Sequence, residues 1–237
     1  MAYSDPVGND YSDYDYEEYE NEQESYEDLR SESIQKIFGG LNPKQAEAVE
    51  CLEGPLLIMA GAGSGKTRVL TCRIANLLAH GVAPWRILAI TFTNKAANEM
   101  KNRAERMIGE AAKSVWLSTF HSFCAKILRF EINSVEGYSN NFVIYSTSDT
   151  KAVVRDCIRE LGLDEKKFVD VQILSRISMA KNNLMDAKRY KDSVHFATTK
   201  SDYEKEVVKI YELYEKRLRA LNAMDFDDLL MLTVQLF

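Results

Sequence analysis

Ala60-Gly61-Ala62-Gly63-Ser64-Gly65-Lys66-Thr67 is the stretch of this chain whose residue types and spacing point most directly to chemistry. Glycines let backbone N–H groups turn inward around a polyphosphate. A helix opening at this point adds unpaired N–H donors and a partial positive charge. Lys66 has the reach to bridge the β and γ phosphates of a nucleotide, and the Thr67 hydroxyl suits Mg²⁺. The strict pattern G-x-x-x-x-G-K-[ST] asks for glycine where this chain has Ala60; the rest of the spacing is kept. A nucleotide with Mg²⁺ is therefore the expected ligand, held by Ala60, Gly61, Ala62, Gly63, Ser64, Gly65, Lys66 and Thr67.

Hydrolysis also needs an apolar strand ending in a carboxylate that holds Mg²⁺ and positions water. Phe142–Tyr145 runs into Ser146-Thr147-Ser148, and Leu88–Ile90 into Thr91-Phe92-Thr93. Asp225, Asp227 and Asp228 follow a helical pattern, with no strand before them, and read as capping and structural. The chain thus carries half of a hydrolytic site. No Ser/His/Asp or Cys/His arrangement argues for covalent catalysis.

The elements that must position the loop are legible around it. Leu56–Met59 reads as a buried strand and Thr67–Ala79 as a helix stopped at Gly81. Arg86–Thr93 reads as a second strand, Asn94–Ile108 as a helix closed by Gly109, and Val115–Thr119 as a third strand. Strand and helix in alternation predict a parallel sheet with crossover helices. From about 122 the period turns helical: 122–132, 149–161, 170–182 and 202–221, with Asp149 and Asp170 as N-caps and Gly162 as a stop. Phe142–Tyr145 reads as a short strand, and Asp225–Phe237 as a last apolar helix with a capping box. Its end inside an apolar pattern suggests truncation.

The 237 residues carry a net charge of −6, which hides a split. Residues 1–30 hold 11 acids and one base, a net of −10, and the remainder is +4. The first 32 residues, with six of the 12 tyrosines, are expected to be a disordered, solvating tail. A docking segment for a protein partner, or a mimic of stacked bases and phosphates, is the alternative. Four scattered cysteines without a C-x-x-C pair argue against zinc sites and disulfides, and for a reduced, cytoplasmic protein. No apolar run approaches the ~20 residues of a membrane span.

Residues 41–67 (LNPKQAEAVECLEGPLLIMAGAGSGKT), 89–103 (AITFTNKAANEMKNR), 117–124 (LSTFHSFC) and 224–230 (MDFDDLL) together resemble the N-terminal part of a UvrD/Rep/PcrA-type superfamily 1A DNA helicase. The resemblance implies an α/β, P-loop RecA-like parallel sheet (1A, from 36 to 121 and again from 221 to 237). A mainly helical 1B subdomain (122–220) is inserted in it, and an acidic tail (1–35) precedes it. It implies a 3′→5′ ATP-dependent helicase represented by a fragment that binds ATP and DNA, with single-stranded DNA and single-strand/duplex junctions as partners. It assigns Gln45 to the adenine, and places Arg68 near the phosphates. Phe92 becomes part of a pocket for a single-stranded base, Thr93, Asn94 and Lys95 phosphate contacts, and Thr119 and His121 backbone contacts. The resemblance stops before the family's Asp-Glu segment and second RecA-like lobe. A non-catalytic nucleotide- and DNA-binding module is therefore the competing reading. A small P-loop kinase fits the length, but its Arg-rich lid is missing.

Overall fold

The computed structural model describes residues 34–135, 137–196 and 201–237. The tail through residue 33 lies outside them. Residues 34 and 35, which the sequence reading assigns to the tail, open a short helix over 34–38 in which Ile37 is fully buried. The chain divides into two compact units, one up to Ser118 and one from Thr119 to Phe237.

In the first unit, α1 (Pro43–Glu50) begins at a reciprocal capping box between Asn42 and Gln45, with Pro43 in its first turn. Helix α2 (Lys66–Ala79) starts after Gly65 and ends before Gly81, whose φ of +80° suits a residue without a side chain. Strand β1 (Leu88–Thr91) leads into α3 (Asn94–Ile108), capped by the Thr93 hydroxyl and closed at Gly109. Strand β2 (Trp116–Thr119) pairs with β1 in a two-stranded sheet. Two small cores flank α2. Val69, Cys72 and Ala75 meet Ile37 and Val49; Ile74 meets Ile87, Ala89, Met100 and Val115.

One expectation fails here. Leu56–Met59 is neither a strand nor buried: it is irregular, with Leu57 84% and Met59 89% exposed. A strand stands only if its backbone groups are paired along the edges. Among the described residues no strand lies beside this segment. Its apolar composition alone cannot make it one.

The second unit is mainly helical. Its elements are α4 (Phe120–Glu131), β3 (Val143–Ile144), α5 (Thr147–Glu160), α6 (Asp170–Asn182), α7 (Ala187–Phe196), α8 (Asp202–Ala220), β4 (Ala223–Met224) and α9 (Phe226–Leu236). Strands β3 and β4 pair in parallel, Val143 opposite Ala223 and Ile144 opposite Met224. Asn222, at φ +47°, locks the approach to β4: its side chain accepts from the Ser139 N–H (2.9 Å) and donates to Ser139 Oγ (2.7 Å). One core joins α4 to α9 through Cys124, Leu128, Leu229 and Leu232. The other joins α5, α6 and α8 through Val154, Ile158, Ile173, Ile177, Tyr211 and Tyr214.

Two expected caps are corrected. Ser146, not Asp149, caps α5, and Asp149 supplies the reciprocal partner three residues on. Val169 precedes α6 without a side-chain cap, and Asp170 instead pairs with Arg155 at 2.8 Å. The sequence reading names no helix over 187–196, although Ala187, Tyr190 and Val194 recur at helical steps of three and four, and Ala187 and Tyr190 pack on the core of this unit.

Cys51 is exposed, Cys72, Cys124 and Cys157 are buried, and all four are free. Burial pushes the Cys157 thiol up to about 11. Among the described residues no helix is long and apolar enough to cross a membrane, and no group of three or more His, Cys, Asp or Glu is placed to hold a metal ion.

Candidate functional site

The Gly-rich loop is shaped by left-handed glycines. Gly63 has φ +75° and Gly65 φ +85°, the latter as N-cap of α2. Ser64 Oγ donates to the Gly61 carbonyl at 2.8 Å, which tightens the turn between them. Lys66 folds back over the loop, its Nζ donating to the carbonyls of Gly61 (2.6 Å) and Ala60 (3.0 Å). Thr67 is exposed in the first turn of α2, beside it in sequence.

Gln45 ties α1 to this loop. Its Oε1 accepts from the Asn42 N–H (3.0 Å), and its Nε2 donates to the Ser64 carbonyl (2.9 Å). A Cβ added at Gly65 would lie 2.9 Å from that Nε2. Gly65→Ala combines the clash with an unfavourable φ, a strain of about 1–3 kcal/mol. It is expected to weaken binding of a fluorescent ATP analogue by roughly tenfold; a titration with unaltered affinity would show that the loop tolerates the change. Asn42, Gln45, Ile58, Ala60, Ser64 and Lys66 border a cavity of about 230 Å³ whose lining includes no Asp or Glu. Arg68 is turned elsewhere: its Nη2 donates to the Gly39 carbonyl at 2.7 Å.

Phe92 stands at the end of β1, 89% exposed. Thr93 Oγ1 accepts from the Ala96 N–H at 3.1 Å, so this hydroxyl caps α3, and Asn94 and Lys95 are exposed in its first turn. In the second unit Thr119 is buried and caps α4, its Oγ1 accepting from the Ser122 N–H (3.2 Å) and donating to Ser122 Oγ (2.8 Å). His121, in the first turn of α4, lies against the Phe226 ring, with centroids 4.8 Å apart and planes tilted by 43°. Several cations of the second unit are held in ion pairs, Lys191 with Glu212 (2.9 Å) and Arg217 with Glu160.

Asp225 and Asp228 form the expected capping box on α9. Its companion, Lys181, was missed. Its side chain is wholly buried, with Nζ 2.8 Å from Asp225 Oδ2, 2.6 Å from Asp228 Oδ1 and 2.7 Å from Glu215 Oε1. The contact to Glu215 is electrostatic, without hydrogen-bond geometry. Tyr214 donates its hydroxyl to Asp225 Oδ2 at 2.8 Å. Burial disfavours the Lys181 charge, but Asp228, Glu215 and Asp225 outweigh it and hold its pKa well above the usual lysine value. Burial also raises Asp228 well above the carboxylate range, despite Lys181; Asp225 resists burial and is held low by Lys181 and its hydrogen bonds. A sequence signal existed: Lys181 continues the buried α6 face of Ile173 and Ile177 at steps of four.

The Gly-rich loop opens a helix within the α/β unit, and a mainly helical unit follows along the chain. Residues 41–237 match the UvrD/REP helicase N-terminal domain, and the chain belongs to that family. It is 50% identical over 204 residues to the ATP-dependent DNA helicase PcrA of Bacillus subtilis (strain 168), covering 85% of this chain and 27% of that protein. Against the PcrA helicases of Staphylococcus aureus (strain Mu50) and Leuconostoc citreum, identity is 47% and 45%, over 85% and 86% of this chain. The chain spans about a quarter of the length of these relatives, 27% in each case.

Proposed function

We propose that this chain is the ATP-binding and DNA-contacting N-terminal part of an ATP-dependent 3′→5′ DNA helicase. The observation that carries the reading is Lys66, set over a loop bent by Gly63 and Gly65 at the N-terminus of α2, in a chain of this family. On binding, Lys66 exchanges the Gly61 and Ala60 carbonyls for β and γ phosphate oxygens, and the loop and helix N–H groups take the remaining charge. The exposed Thr67 hydroxyl, next to Lys66, fits the role of protein ligand to the Mg²⁺ of the nucleotide. That ion neutralises charge on the β and γ oxygens when bound. Gln45 borders the same cavity and offers both a donor and an acceptor to an adenine edge.

Single-stranded DNA and its junctions with duplex are the second ligand. Phe92 offers an exposed ring for base stacking, and the N-terminus of α3 with Lys95 offers phosphate contacts. In the second unit the His121–Phe226 pair is a further aromatic surface. Phe92→Ala is expected to weaken single-stranded DNA binding by roughly fivefold or more at low salt, since stacking contributes ~1–3 kcal/mol per base. ATP-analogue binding should be unchanged. A DNA titration indistinguishable from the parent chain would remove the stacking role.

For the chain by itself, one observation favours binding without turnover. The cavity beside the loop is lined by no carboxylate, and Asp225 and Asp228 are engaged by Lys181. Residues 1–237 alone should therefore show no DNA-stimulated phosphate release. Turnover at the rate of a complete helicase would mean that a catalytic acid within these residues has been overlooked.

A further inference from the structure

The Lys181 cluster sits beneath a surface feature. Asp225, whose Oδ2 accepts from Lys181, immediately precedes Phe226, the first residue of α9. Phe226 is 57% exposed, and its ring lies against His121. Asp228, also bound to Lys181, returns its other oxygen to the Asp225 N–H at 3.0 Å. The first turn of α9 is thus clamped from both sides of Phe226 by one buried ammonium on α6. A capping box alone would fix that turn at the surface, and such boxes start α1 and α5 without any buried cation. The additional charge is costly to bury, which argues for a positional requirement at this one helix start.

We propose that Lys181 is a positioning residue: through Asp225 and Asp228 it holds the Phe226 ring against His121 as a platform for a single-stranded base. The platform's use rests on the reading that this surface meets DNA; the clamp itself does not. The mechanism is preorganisation, since a ring already immobilised loses less freedom when a base stacks on it.

The two parts are tested separately on the full chain. His121 is one of three histidines, and His121→Gln identifies its signals in a histidine-labelled NMR spectrum. At 4.8 Å between centroids the Phe226 ring current should displace the His121 ring protons, and Phe226→Ala gives the undisplaced reference. In Lys181→Met the His121 signal should move to that reference, while the His80 and His195 signals stay. Should Lys181→Met fail to fold, Asp225→Asn decides, because it keeps shape and the capping oxygen but not the charge facing Lys181. An unmoved His121 signal in Asp225→Asn overturns the clamp. Loss of dispersion at all three histidines in Asp225→Asn makes the cluster a general folding requirement and also overturns it. With a labelled oligo-dT, Phe226→Ala and Asp225→Asn should each weaken binding about fivefold, and the double variant no further. Additive losses overturn the proposal. Unchanged affinity in Phe226→Ala removes the DNA role of the platform, and the His121 signal still tells whether Lys181 holds the ring.

Discussion

Lys66→Ala is expected to abolish measurable binding of a fluorescent ATP analogue to this chain. The ammonium's present contacts are two carbonyl oxygens of the loop, at 2.6 and 3.0 Å, a pair of donor directions ready for two phosphate oxygens. Charge-assisted hydrogen bonds contribute about 1.5–3 kcal/mol each, so losing two lowers affinity roughly a hundredfold or more. The alanine variant should fold as the parent does, because Lys66 is exposed and bonds only to the loop. Equilibrium titration gives the affinity, and a thermal melt confirms that the fold is intact. An affinity equal to the parent's would mean that Ala60–Thr67 is a turn rich in glycine and nothing more.

The second large effect is on stability. Lys181→Met removes the cation and leaves Asp225, Asp228 and Glu215 facing one another in the interior. Breaking a buried pair from one side typically costs about 3–5 kcal/mol. The cost should depend on pH, with a definite sign. Asp225 has a lowered folded pKa, so its contribution is present above the unfolded carboxylate range and lost as pH falls through the folded value. Asp228 has a raised folded pKa, so its contribution is present below that range and lost as pH rises through the folded value. Lys181 pulls both values down. Without it both rise, and the variant's deficit widens from about pH 4, near the unfolded carboxylate values, toward neutrality. Urea melts at acid and neutral pH measure it. A deficit that is constant across that range would show the carboxylates are not the source of the penalty.

Much of this could be read from residue order, for physical reasons that differ by element. The α2 helix was legible because Gly65 and Gly81 mark its ends and its apolar positions keep a helical period. The α9 capping box was legible because it lies within three residues. Leu56–Met59 was misread because a strand is a property of its neighbours, and composition reports only the strand's own preference. The caps of α5 and α6 were misplaced by a few residues, since Ser146 and Asp149 are both competent cap formers and only the reciprocal geometry chooses between them. Lys181 was invisible to a charge count, which treats lysine as surface. Its periodicity with Ile173 and Ile177 was the clue, and its partners lie 34 to 47 residues away. The resemblance implies a place near the phosphates for Arg68, and the structure shows its side chain donating to the Gly39 carbonyl, a partner 29 residues away that residue order does not reveal.

The free thiols have a practical consequence. Cys72 lies buried in the first unit, Cys124 and Cys157 are buried in the second, and Cys51 is exposed. Under native conditions an alkylating reagent reaches Cys51 at once, and the others only when the unit around them opens. Mass spectrometry of the alkylated peptides, followed over time, therefore reads the opening rate of each unit from one sample. The polypeptide carries its own clocks, with no label to introduce.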